Sequence, residues 1–325
     1  METTNTANMT DTERETDTEE ANALEDAGHF REALVKWKEI VAREADAISL
    51  CRLGRVASRL NEWAEAEKAL LRSIAAAPEW SLPHEALGLL YRDKGELSRA
   101  EVYFKQSLAL RKQARTLMFL GDVLDRVGRN SEAKALLREA IALDPASEEA
   151  YYLLAVAAGE DAQEAIPLYE QAVTLDPGYS LAHRDLGWVL RRVHRLDEAE
   201  AHLRTAIRLN EGDAWSFIYL GNTLWARGDL SGAEVAFRRG ISVAPDCAAG
   251  YWCLADLAKY QGRLSEARHL LKAGLRANIA SVEASIRFAL LLKDVGDFAR
   301  ARRYLRRALR LDPTNLVARS LLEKP

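Results

Sequence analysis

Few residues in this chain are spaced for chemistry. Three histidines, His183, His194 and His202, lie close together, but their intervals of 11 and 8 residues match no helical ligand pair, so they read as polar surface residues and no metal is expected. Cys51, Cys247 and Cys253 form no CxxC pair and are odd in number, which favours a reducing compartment over a disulfide framework. The chain has no glycine-rich phosphate loop, no nucleophile elbow and no HExxH motif. No catalytic residue is therefore nominated, no cofactor is expected, and the protein is expected not to be an enzyme. Two local features stand out instead. Four of the seven tryptophans, Trp188, Trp215, Trp225 and Trp252, crowd into one part of the chain. Further on, FARARRYLRRALR places Arg300, Arg303, Arg307 and Arg310 in one helical stripe, with Arg302 and Arg306 beside it. Such a stripe either meets an acidic protein, RNA or membrane surface, or is a solvated face whose arginines complement a helix C-terminus.

The elements that must carry these residues are written as a repeat. Ala33, Ala66, Ala100, Ala133, Ala165, Ala199, Ala233, Ala267 and Ala301 recur at gaps of 33, 34, 33, 32, 34, 34, 34 and 34 residues. Four residues after each alanine stands a bulky apolar group, such as Phe104, Leu203 or Phe237, and upstream of it stands a small residue such as Gly88, Gly187 or Gly221. Apolar residues at i, i+4 and i+7 predict an amphipathic helix in the second half of each unit. Leu186 and Leu190, flanking Gly187, predict another in the first half. A glycine between the halves, as at Gly95 or Gly228, suits a left-handed helix terminus, and a proline at Pro78, Pro145, Pro177, Pro245 and Pro313 ends the second helix. Each unit is thus a helical hairpin whose small slots let two backbones approach.

The pattern resembles the tetratricopeptide repeat family, most fully in Tyr219-Leu220-Gly221, Gly228, Ala233, Phe237 and Pro245. Nine units in register cover roughly 16–315. The resemblance implies an all-α fold, a right-handed α-solenoid or superhelix of helix-turn-helix repeats, whose concave groove, lined by the first helices, binds another protein or a peptide segment. Family geometry puts the groove-facing positions three and two before the small slot and one and four after it. In repeats two to four these carry a mixed set including Cys51, Arg52, Arg55, Glu85, Arg92, Met118, Phe119, Asp122 and Asp125. In repeats five to eight they carry Tyr152, Arg184, Trp188, Arg191, Tyr219, Asn222, Trp225, Trp252, Asp256 and Lys259, with Asp185 among them and Trp215 and Tyr260 at the margins. This set is the candidate partner-binding groove: aromatics supply contact area, while Arg184, Asn222, Asp256 and Lys259 fix register. The bland alternative is that the rings pack between repeats. The two-before slot runs Arg52, Ala86, Phe119, Leu153, Asp185, Tyr219, Cys253 and Arg287 without one asparagine, so neither the family's carboxylate clamp nor its asparagine ladder is present.

Of the net charge of −4, residues 1–20 hold seven acids against one arginine, a net of −6; the near-neutral remainder argues against general nucleic-acid binding. No signal peptide or membrane-spanning run is visible, so a cytoplasmic protein without membrane insertion is expected. Residues 1–15 read as a disordered acidic tail, and 316–325 as a capping helix closing one elongated domain. The fifth repeat loses two residues in its turn, AAGEDAQEA, and holds Pro167, which is best tolerated in a helix's first turn. The expected function is a non-catalytic protein- or peptide-binding scaffold or adaptor. The alternative is an accessory or regulatory subunit docking on an enzyme or larger complex through its convex face and the arginine stripe, with homo-oligomerisation left open.

Overall fold

Hairpin turns, small slots and proline stops each leave a visible trace in the backbone. A computed structural model describes residues 11–277 and 281–323, with the side chains of 11–14 excepted; among the described residues all regular structure is helical. Contacts divide the chain into two compact units that meet between Gly159 and Glu160, inside the shortened turn of the fifth repeat. The first unit holds α1 (Asp11–Asp26), α2 (Phe30–Arg43), α3 (Ala47–Arg59), α4 (Trp63–Ala76), α5 (Ser81–Asp93), α6 (Leu97–Leu110), α7 (Ala114–Arg126), α8 (Asn130–Leu143) and α9 (Glu148–Ala158). The second holds α10 (Ala162–Leu175), α11 (Ser180–Arg192), α12 (Leu196–Leu209), α13 (Ala214–Ala226), α14 (Leu230–Val243), α15 (Ala248–Tyr260), α16 (Leu264–Ala277), α17 (Val282–Asp294), α18 (Phe298–Leu311) and α19 (Leu316–Glu323). Within each unit the helices pair as hairpins, and each hairpin's second helix packs against the first helix of the next, as in α4 on α5 or α12 on α13. The fold is an α-solenoid of helix-turn-helix repeats.

The turns explain themselves locally. After α5, Gly95 takes φ +77°, its N–H donates to Arg92 O, and the Glu96 N–H donates to Tyr91 O. These bonds cap the helix and reverse the chain. Two units lack the glycine, and there Asn61 and His194 take φ of 60° and 62° instead. His194 is thus a backbone-geometry residue, a role its side chain does not advertise. Residues preceding the prolines, such as Ala77 and Asp144, are forced out of helical ψ, to 79° and 87°, which stops α4 and α8.

The core follows the repeat. The periodic alanines are buried, and the bulky residue four later lies over the small slot. A Cβ at Gly221 would stand 2.5 Å from the Phe237 ring, and one at Gly88 the same distance from Phe104. Carboxylates one position after the alanine then tie neighbouring repeats: Glu67 meets Arg99 at 3.0 Å, Glu101 meets Arg129 at 2.8 Å, and Glu234 meets Arg263 at 2.7 Å.

Two expectations are corrected. Helix α1 begins at Asp11, not at Thr16, so residues 11–15 are not tail. The reason is anchoring: Asp17 bonds Lys36 at 2.9 Å and Arg43 at 2.6 Å on α2, and a helix once nucleated extends cheaply upstream. Residues 1–10 of the expected tail lie outside the described residues, as do 324–325 of the cap, whose helix α19 buries Ala318. Pro167 is the sixth residue of α10, beyond the first turn, so it forgoes one intrahelical bond.

Candidate partner-binding faces

Helices α11, α13 and α15 pack side by side in the second unit, and their half-exposed aromatics meet across the helix boundaries. Trp188 on α11 faces Tyr219 on α13 with ring centroids 6.4 Å apart, and Tyr219 in turn meets Trp215 at 5.7 Å. Trp225 on α13 meets Tyr260 on α15 at 5.8 Å. Arg192 lies over the Trp188 ring at 4.8 Å, a cation–π contact on the face of the tryptophan. Burial raises the Tyr219 hydroxyl above the ordinary tyrosine value. The Arg191 guanidinium lies below its ordinary value, because burial and then Arg192 disfavour its charge, and its buried Nε has no hydrogen-bond partner. Tyr152 belongs to the first unit, half-buried on α9.

The polar residues expected to fix a ligand's register are already engaged. Arg184 donates to both carboxylate oxygens of Asp185, at 2.7 and 3.1 Å, and lies 3.6 Å from Asp213. Asn222 donates to Cys253 Sγ at 3.9 Å, Asp256 receives Arg287 at 2.6 Å, and Lys259 pairs with Asp294. Even so, burial raises the Asp256 carboxyl above its usual range. Adjacent first helices bring together residues roughly one repeat apart, and their opposite charges satisfy one another. Arg287, in the two-before slot of the ninth repeat but outside the nominated set, also lies 5.6 Å over the Trp252 ring. Trp252 itself is shared between surface and packing: a Cβ at Gly274 would stand 3.0 Å from its Nε1, so the indole lies over the second helix of its own hairpin. Trp252 thus takes part in packing its own hairpin as well as facing the groove register.

The histidines are also reassigned. His183 is buried, and its Nδ1 lies 2.9 Å from His202 Nδ1, while its Nε2 is 3.2 Å from Pro177 O. A carbonyl only accepts, so neutral His183 carries its proton on Nε2 and accepts at Nδ1 from His202. The pair is a packing device across α11 and α12, since the hairpin lays the residue four before the slot on the one three after the alanine. Among the described residues no cluster of three His, Cys, Asp or Glu side chains could hold a metal, and no helix is long and apolar enough to cross a membrane. Burial pushes the Cys51 and Cys253 thiols up to about 11, away from reactive thiolate chemistry.

Two further features lie apart from the aromatics. A recess of about 510 Å³ in the first unit, of mixed charge, is lined by Arg52, Arg55, Arg59, Arg92 and Arg115 together with Glu25, Asp26, Glu85 and Asp93 around Phe119, drawing on the mixed set of repeats two to four. In the second unit α18 exposes Arg300, Arg303 and Arg310 and half-buries Arg307, with Arg300 held 3.4 Å from Asp297.

Models described as tetratricopeptide repeat match residues 18–80, 120–180 and 218–282, with further matches over 155–216, 85–115 and 282–315. The chain belongs to the tetratricopeptide repeat family. It is 26% identical over 228 residues to the human protein O-mannosyl-transferase TMTC1, a match covering 68% of this chain and 26% of that protein. The chain spans about a quarter of the length of the curated relatives it matches. Among solved structures, a tetratricopeptide repeat protein from Parabacteroides merdae superposes with a TM-score of 0.62 at 19% identity, covering 74% of this chain and 97% of that one. The APC/C hetero-tetramer Cut9-Hcn1 gives a TM-score of 0.59 at 19% identity, covering 90% of this chain and 58% of that one.

Proposed function

We propose that the protein is a non-catalytic, cytoplasmic adaptor that grips a peptide segment of a partner protein on the aromatic face of α11, α13 and α15. The observation that carries this reading is the run of partly exposed rings in which Trp188 on α11 meets Tyr219 on α13 and Tyr219 meets Trp215 on the same helix. Large, stiff side chains of this kind give contact area at low entropy cost. Because Arg184, Asp256 and Lys259 are spent on internal pairs, recognition rests on the rings, not on the charged positions. The solved Cut9-Hcn1 relative is described as a hetero-tetramer, which fits a family used for assembly.

The test is selection of binders from a random peptide library, followed by titration of the selected peptides against Trp188→Ala and Trp215→Ala. Truncating one hot-spot ring is expected to weaken binding by ~1–3 kcal/mol while the far-UV helical signal stays intact. Peptides that bind the variants and the parent equally would refute the aromatic face as the site.

A further inference from the structure

Helices α1 and α18 carry opposite charge. Helix α18 holds six arginines and no acid, a net of +6. Helix α1 holds eight acids and one arginine, a net of −7. At Glu67, Glu101, Glu200 and Glu234 the position after the periodic alanine is a carboxylate that receives a cation from the following repeat, as Glu101 receives Arg129 and Glu234 receives Arg263. In the last two repeats that position is Arg268 and Arg302, and neither has an ion partner among the described residues. Arg303, Arg306 and Arg310 are likewise exposed and unpaired. The tie between repeats is therefore reversed in sign at this end and calls for an acidic neighbour.

No full repeat of this chain supplies one. Every earlier second helix in its unit packs against a following first helix of 13 residues, whereas the helix that follows and packs on α18 among the described residues is α19, of eight residues. A recess of about 530 Å³ remains along α18, lined by Arg303, Tyr304, Arg307, Arg310 and Leu311. The element of opposite sign is α1, the first helix of the first repeat among the described residues. Asp17, Glu20 and Glu25 of α1 are held by Lys36, Arg43 and Trp37, but Glu15 and Glu19 are exposed and have no ion partner among the described residues.

We propose that the α18 face binds α1 of a second copy of this chain, so that molecules associate head to tail through an arginine–carboxylate contact. The contact is heterologous: it leaves one free α1 and one free α18 at each step, and so propagates or closes into a ring. Being exposed and ionic, it weakens steeply with salt. It is independent of the aromatic face and stands or falls separately from it.

The test is sedimentation equilibrium of the full chain at about 20 mM and about 500 mM salt, with two charge-reversed variants. One is Arg303→Glu/Arg310→Glu and the other Glu15→Lys/Glu19→Lys. The parent is expected to self-associate at low salt and dissociate at high salt, with self-association of each variant weakened about tenfold or more. A mixture of the two variants is expected to associate again, because each then offers the other a complementary end; restoration also shows that neither variant is misfolded. A parent that stays monomeric at low salt overturns the proposal, as does association that survives the arginine reversal, or folded variants whose mixture stays monomeric. A monomeric parent whose α18 arginines instead bind anionic vesicles or RNA also overturns it, and reassigns the face to that polyanion.

Discussion

The slot beneath Phe237 offers a direct measure of what holds each hairpin together. A methyl at Gly221 would lie 2.5 and 2.6 Å from two ring carbons of Phe237, and the ring, fully buried, has no solvent to swing into. Overpacking of this kind costs about 1–3 kcal/mol, less a gain of about 1 kcal/mol because alanine is the better helix former, so Gly221→Ala should destabilise by about 0–2 kcal/mol. Phe237→Leu empties part of the ring's volume and should cost about 1–2 kcal/mol, below the full Phe→Ala range. The double variant, however, recreates pairs the chain already uses, Ala255 with Leu271 and Ala289 with Leu305, each residue buried. The methyl should occupy space the ring vacates, giving a favourable coupling of about 1 kcal/mol or more in the double-mutant cycle. Repeat arrays need not unfold in one step, so the readout should be amide hydrogen exchange across α13 and α14, which reports local opening. Single effects that add within about 0.5 kcal/mol would refute complementary slot-and-knob packing as the source of hairpin stability.

Two further outcomes follow from charge. Burial above all holds both His183 and His202 below the ordinary value of 6.5; the Pro177 carbonyl and Asp176 favour protonation of His183 and Arg208 opposes it, while His183 and Arg195 oppose protonation of His202 and Glu198 favours it. The unfolded chain therefore binds more protons just below 6.5, so the α11–α12 hairpin should keep its full stability above that value and lose it as the pH falls through the lower folded-state values. The loss should approach about 1.4 kcal/mol per pH unit for each titrating proton, and His202→Asn should flatten the slope in amide exchange of α11; a slope identical to the parent's would show that the pair does not titrate with folding. Glu234 bridges Arg238 at 2.8 Å and Arg263 at 2.7 Å, but its partners are substantially exposed. Glu234→Gln should thus cost no more than about 1 kcal/mol in urea unfolding, and the difference should vanish in high salt.

The hairpins were legible in the sequence because their causes are local and periodic. Ala199, Leu203 and Gly187 specify a close helix crossing wherever they recur, and Asp144-Pro145 stops a helix by itself. What the sequence hid was decided by neighbours a repeat away. Asp256 and Arg287 are 31 residues apart, and nothing in either helix announces that they meet at 2.6 Å. His183 looks like a surface residue until the hairpin lays it on His202. Trp252 occupies a groove register, yet Gly274 on the facing helix leaves room for its indole to lie down. The start of α1 was misjudged for the same reason, since the anchor for an acidic, weakly amphipathic segment is Lys36 and Arg43 on the next helix.

This division bears on how the protein would recognise anything. Positions that build the hairpin repeat through the array and so carry no specificity; positions free of that duty differ from repeat to repeat, and most of their charges neutralise one another between adjacent first helices. Subtracting both sets leaves two kinds of unspent surface in the second unit: the rings of Trp188, Tyr219 and Trp215, and the exposed Arg303, Arg306 and Arg310 of α18. Their physics differs. Ring burial is only weakly sensitive to ionic strength, whereas exposed arginine contacts fade as the Debye length shrinks from about 10 Å at 0.1 M salt to about 3 Å at 1 M. A partner held on the first face should therefore survive a salt wash that strips one held on the second, so salt dependence alone assigns an interaction to its face before any residue is mutated.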